Sequence, residues 1–196
     1  KAGLGFKLSL EEYITDDERY VENTRIHHKS FHLVFDGIYN WEFTVGLEHF
    51  VQWGGISPVF GGLPGSFDDY INVFTGLEGK DDVGGEEENA LGNHLGGYVA
   101  GIKTSFENYN IEIIYNHIFE DGSGSVLANT PDGRYGIHIA DKEPGNWIDA
   151  FMYELYYTRN QSKNSPTTDG IDNYFNNNLY RSGWTYENRV IGVPFI

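Results

Sequence analysis

The sequence contains no cysteine and a single methionine, and no run of about 18 apolar residues occurs in it. The first absence removes disulfide staples, thiolate metal sites and thiol nucleophiles in one step. The lack of a long apolar run leaves no transmembrane helix, but not the possibility of transmembrane strands, whose signal per segment is much weaker. Basic residues are also few. Lys and Arg total 13 against 29 Asp and Glu, a formal net charge of −16 over 196 residues. Phosphate neutralisation needs clustered cations, and no basic stripe is present, which argues against nucleic acid and against an anionic lipid surface as partners. The chain opens on Lys1 and closes on Ile196 directly after an apolar run, so both ends read as cut and a processed or partial chain is expected.

What the chain does have is aromatic residues, 16% of the total, and 25 glycines. Tyr and Phe fit the pleated, half-buried surface of a strand, and the apolar residues alternate. From Gly96 to Glu107, Tyr98, Ala100, Ile102 and Phe106 fall on one face, with Gly97, Gly101, Lys103 and Ser105 on the other. Tyr109, Ile111, Ile113, Tyr115 and Phe119 then alternate with Asn110, Glu112, Asn116 and Glu120. Glu107 to Asn110 is short enough for a hairpin turn. Phe31, Leu33 and Phe35 lead to a turn signal at Asp36-Gly37, and Tyr39, Trp41, Phe43, Val45 and Leu47 follow it. Phe151, Tyr153, Leu155 and Tyr157 follow a turn at Glu143-Pro144-Gly145-Asn146. Weaker strands are expected at Gly3 to Glu11, Tyr135 to Ala140 and Gly183 to Ile191, giving about eight. No 3.6-period segment of useful length is apparent.

The connections between these strands alternate long and short. Residues 12–27, 52–93, 121–134 and 160–182 form the long ones; the short ones lie near Asp36, Asn108 and Pro144. Outer-membrane barrels have short periplasmic turns and long extracellular loops, and a soluble sandwich has no reason to keep that order. The fold expected is therefore all-β, an antiparallel transmembrane β-barrel. The short turns would then be periplasmic, and the site of action would be the outer membrane of a Gram-negative bacterium. A soluble carbohydrate-binding β-sandwich explains the alternation equally well and stays open as an alternative.

Little in the sequence points to catalysis. No phosphate-binding or dinucleotide glycine motif occurs, nor Gly-x-Ser-x-Gly in a strand-to-helix context. Glu120 and Asp121 are adjacent carboxylates, but strand neighbours point to opposite faces, so they cannot oppose each other across a glycosidic bond. His49 and His94 have no metal-ligand spacing, and hydrogen bonding is the expected role; His27-His28 reads as a solvated pair near a loop end. Glu78, Asp81, Asp82 and Glu86 to Glu88 form an acidic loop, read as solvated, with Ca²⁺ as the sharper alternative although the spacing is not that of an EF-hand. No other cofactor is expected.

Four segments carry residues that strand formation does not require. They are Gly46-Leu47-Glu48-His49-Phe50-Val51-Gln52-Trp53-Gly54-Gly55 and Asn89-Ala90-Leu91-Gly92-Asn93-His94-Leu95-Gly96; Phe119-Glu120-Asp121-Gly122-Ser123-Gly124 with Asn129 and Asp132-Gly133-Arg134-Tyr135-Gly136; and Asp172-Asn173-Tyr174-Phe175-Asn176-Asn177 with Tyr180-Arg181-Ser182-Gly183-Trp184-Thr185-Tyr186 and Ile191-Gly192-Val193-Pro194. In this order, over about residues 46 to 196, they resemble the capsule assembly family typified by Wzi. The resemblance implies a non-catalytic, lectin-like outer-membrane barrel that holds capsular or related surface polysaccharide. Its members have more strands than this chain supplies, so the chain would be one arc of a larger barrel.

Candidate glycan contacts follow from side-chain chemistry. Trp53 and Trp184 offer flat apolar faces, Glu120 and Asp121 accept from hydroxyls, and Arg134 and Arg181 can grip sugar acids; packing, turn and ion-pair roles are the plainer readings of each. Partners expected are surface polysaccharide, outer-membrane lipid and other outer-membrane proteins. The competing function is a structural or channel component of an outer-membrane complex.

Overall fold

The computed structural model describes residues 2–80, 83, 90–120, 125–143, 145, 148–161 and 172–191. Its main feature is a seven-stranded antiparallel sheet. In chain order its strands are β1 (Gly3–Ile14), β2 (Arg25–Ile38) and β3 (Trp41–Trp53), then, after an excursion, β6 (Asn93–Phe106), β7 (Tyr109–Phe119), β8 (Gly133–Asp141) and β9 (Ala150–Tyr157). Each strand neighbours the next in that order, so the sheet is a meander with β1 and β9 as its edges, and it is not closed into a barrel. The excursion holds a two-stranded hairpin, β4 (Ile56–Ser57) with β5 (Gly61–Gly62), and a helix, α1 (Phe67–Thr75). A second small hairpin pairs β10 (Thr185–Tyr186) with β11 (Arg189–Val190).

The register carries the alternation of single strands across the sheet. Ile102 faces Ile113, which faces Ile137, which faces Tyr153; one residue along, Lys103, Glu112, His138 and Met152 form the matching row on the opposite face. A period of two fixes this, because a slip of one residue would exchange the two faces. The Phe106–Tyr109 pairing leaves a two-residue turn at Glu107-Asn108, inside the Glu107 to Asn110 segment where a hairpin turn is expected. The β2–β3 turn sits at Tyr39-Asn40, two residues beyond the Asp36-Gly37 signal, with Tyr39 at φ 58°.

Four other expectations are corrected. Among the described residues the sheet has seven strands rather than about eight: residues 183–191 make the β10–β11 hairpin, with the Gly183 and Thr185 carbonyls tied to the Gln52 and Arg19 side chains. The connection 12–27 shortens, since β1 and β2 run on to Ile14 and from Arg25, closed by Thr15 N–H donating to the Thr24 carbonyl at 2.9 Å. The connection 52–93 is not purely loop. Within it Ser66 caps α1 by accepting from the Asp69 N–H while the Asp69 carboxylate accepts from the Ser66 N–H, a reciprocal capping box; Gly76 ends the helix in the left-handed region. And His27 is fully buried, not solvated: Tyr70 and Phe74 of α1 pack edge-on against its ring, and Glu12 bonds its Nδ1.

By contact density the chain divides into two units. The first comprises residues 1–9, 30–48 and 96–172; the second, residues 10–29, 49–95 and 173–196. Apolar cores of buried residues lie in the second. Val51, Trp53, Val73 and Leu91 form one cluster with Tyr70 against it; Val21, Leu63, Leu179 and Tyr180 form another. The first unit places its large apolar side chains outward. Phe6 and Leu8 are each 75% exposed, and Leu4, Phe35, Trp41, Val45, Phe106, Tyr109, Ile113, Phe151 and Tyr153 are also exposed.

Candidate functional site

The candidate residues divide between the units. Trp53, Arg181 and Trp184 belong to the second, Glu120 and Arg134 to the first; Asp121 lies outside the described residues. So do Asp81, Asp82 and Glu86 to Glu88 of the acidic run. Trp53 is a core residue, 4% exposed, with the Arg25 guanidinium 4.7 Å from its ring centre and Tyr70 tilted against it. It stands as packing rather than as a platform, because its ring is already covered. Trp184 is half-buried, edge-on to Phe50, and its buried Nε1–H has no acceptor among the described residues. Arg181 is exposed; its guanidinium lies 4.7 Å from the Tyr20 ring centre and its Nε–H donates to the Asn178 carbonyl at 3.0 Å.

The segment carrying Arg181 and Trp184 is held by backbone carbonyls. Gly183 O accepts from Gln52 Nε2 at 2.7 Å and from Arg19 Nη2 at 3.0 Å; Thr185 O accepts from Arg19 Nη1. Tyr20 N–H donates to Ser182 Oγ at 2.8 Å. Gln52 is itself fixed by Asn93, whose Nδ2 donates to its Oε1 at 2.9 Å. The residues that distinguished the first, second and fourth motifs thus build one polar lattice inside the second unit.

His49 and His94 form a tautomer chain. The Leu91 carbonyl can only accept, so His94 donates to it from Nε2 at 3.0 Å. His94 Nδ1 then accepts from His49 Nε2 at 2.9 Å, which leaves a lone pair on the buried His49 Nδ1. Burial first, and then the neighbouring His94 ring and Lys29 ammonium, push His49 down to about 3. Burial pushes His94 down to about 4, against the opposing pull of its bond to Leu91. Both rings are neutral hydrogen-bonding groups. Among the described residues no three His, Asp or Glu side chains are grouped to hold a metal.

In the first unit the third motif bolts a loop. The Asp132 carboxylate, fully buried, accepts from the N–H groups of Asn160 and Gln161, each at 2.8 Å. Asn129 Nδ2 donates to the Ile118 carbonyl at 2.7 Å, and the Glu120 N–H to the buried Asp172 at 3.3 Å. Gly133 sits at φ 154°, and a Cβ there would lie 2.5 Å from the Asn116 carbonyl oxygen, so only glycine fits. Arg134 faces Glu154 at 3.7 Å, the ion-pair reading of that residue.

The polar face of the same unit has a shallow depression not identified from the sequence. Asn40, Glu42, Lys103, Asn110, Glu112 and His138 line it, with Lys103 and Glu112 paired at 3.1 Å. Its donors and acceptors suit a polyhydroxylated ligand. The alternation gave their common face, but only the register brings them together. The chain matches no known protein family, no curated protein and no solved structure. The likeness to the capsule assembly family therefore rests on the quoted motifs.

Proposed function

We propose that this chain is an arc of an outer-membrane β-barrel that retains polysaccharide at the cell surface, without catalysis. The observation that carries the membrane part is the exposed apolar face of the first unit. Leu4, Phe6 and Leu8 on β1, Val45 and Leu47 on β3, Ile113 on β7 and Tyr153 and Leu155 on β9 are apolar and solvent-facing, while the opposite face bears Lys103, Glu112, Arg134 and Glu154. A monomeric soluble protein rarely exposes so continuous an apolar surface, whereas a lipid-facing sheet requires it. Strands of 8 to 14 residues suit the 9–11 or so residues that a tilted transmembrane strand needs. The spanning segments are the strand portions in the first unit; residues of the second unit are not among them.

Because the chain has no cysteine, single-cysteine variants at successive positions of β7 take one spin label each. In reconstituted bilayers, labels at 111, 113 and 115 should be relaxed by oxygen and those at 110, 112 and 114 by a water-soluble relaxant. Equal access of the aqueous relaxant to both sets would refute membrane insertion.

The polysaccharide part rests on the motif resemblance, on Arg181 and Trp184, and on the polar depression. A formal charge of −16 repels acidic glycans, so retention should strengthen with salt or Ca²⁺. Purified protein in detergent that fails to retain surface polysaccharide at every salt and Ca²⁺ concentration would overturn this part and leave the barrel standing.

A further inference from the structure

Strand direction sets a condition on whatever completes the sheet. The residue registers make β6–β7, β7–β8 and β8–β9 antiparallel. The two-residue turn at Tyr39-Asn40 makes β2–β3 antiparallel, and the Thr15–Thr24 bond closes β1 and β2 as a hairpin. Across β3 and β6, Asn40 contacts Ser105 and Gln52 contacts Asn93; both residue pairs sum to 145, which only an antiparallel pair gives. Seven strands with six reversals leave the two edge strands, β1 and β9, pointing the same way.

Among the described residues β1 and β9 are the edges of the sheet, and in lipid the backbone N–H and C=O groups along such an edge need partners. Direct closure of β9 onto β1 would form a parallel seam in a barrel of seven strands, below the eight of the smallest outer-membrane barrels. A ring of two copies fares no better, because β9 of one copy would meet β1 of the other in parallel at both seams. We infer that an odd number of further antiparallel strands, not supplied by a second copy of this arc, stands between β9 and β1. The strand against β1 runs opposite to it and continues the apolar row of Leu4, Phe6 and Leu8 on the lipid face. This inference rests on the barrel reading.

The test places a photo-reactive amino acid at Lys7 or at Glu154, polar-face positions on the two edge strands, in the full protein expressed in cells. Adduct peptides are then read by mass spectrometry. Both probes should couple to peptides outside residues 3–157, and the strands joining the two adducts, counted from cross-links stepped across the gap, should be odd in number. Coupling of the Lys7 probe to residues 150–157, in the same copy or another, would overturn the inference. An even count would do the same, as would the absence of any polypeptide adduct at both edges. These outcomes are separate from the spin-label result, which judges membrane insertion itself.

Discussion

Ile113 and Ile114 are neighbours of the same residue type on opposite faces of β7, and one substitution at each separates a lipid-facing sheet from a soluble one. Ile113 lies in the apolar row with Ile102 and Ile137 and is 49% exposed; Ile114 lies between Gly101 and Gly136 and is less exposed. If the apolar face meets lipid, Ile113→Arg puts a charge near the middle of the hydrocarbon, a cost of about 2–4 kcal/mol. Ile114→Arg puts the same charge on the polar face, where two flanking glycines leave room and the Glu154 side chain approaches Gly136. Its cost should stay below about 1 kcal/mol. A soluble sheet predicts the reverse order. Arginine at the exposed Ile113 would then cost about 0.5 kcal/mol or less, and the more covered Ile114 would suffer more. Folding into phospholipid vesicles from urea gives the readout. At a slope of about 2 kcal/mol per M, a 3 kcal/mol loss lowers the midpoint by about 1.5 M. A midpoint drop for Ile114→Arg equal to or larger than that for Ile113→Arg would refute the lipid-facing assignment.

Gly133→Ala should cost at least about 1–3 kcal/mol by the same urea measurement, because its Cβ meets a backbone oxygen at a positive φ, while Gly136→Ala, in ordinary contact distance, should be close to neutral. Asp132→Ala leaves two N–H groups without their acceptor, at about 1–3 kcal/mol each, and should speed hydrogen exchange at the Asn160 and Gln161 amides; unchanged exchange there would contradict the bolt. The depressed His49 and His94 values make the unfolded chain bind more protons than the folded one below about pH 6.5. Their stability contribution is therefore complete above that pH and is lost as pH falls toward 4 and then 3. The urea midpoint should decline across that window, and less steeply in His49→Asn.

The parts of the fold legible in the sequence are those fixed by period two. The faces of β6 and β7, and the turn between them, follow from alternation because neighbouring strands inherit each other's register. Helix α1 escaped because its nine residues give only about two and a half turns and its first turn is acidic; the Ser66-x-x-Asp69 capping box is the local signal that marks it. The burial of His27 was not legible, since it depends on Tyr70 and Phe74 more than 40 residues away packing over it. For Trp53 packing was the plainer reading, but its partners were not legible, since Arg25 and Tyr70 reach it only through the fold.

The motif residues teach something different about where a glycan contact should be sought. Asp132, Gly133, Asn129, Gln52, Asn93 and Gly183 are distinctive in sequence, yet each is engaged in holding a loop to a strand end. Their substitution would abolish retention by loosening the loops, whether or not a sugar touches them. Arg181 is free of this ambiguity. It is exposed, and its contacts, the Tyr20 ring and the Asn178 carbonyl, are surface interactions worth about 1 kcal/mol or less. Arg181→Ala should therefore leave the urea midpoint nearly unchanged while weakening retention of an acidic polysaccharide several-fold, and Arg181→Lys should restore only part, because an ammonium cannot grip a carboxylate in two places. Retention unchanged in Arg181→Ala would remove this residue from the glycan surface and leave the polar depression around Lys103 and His138 as the better place to look.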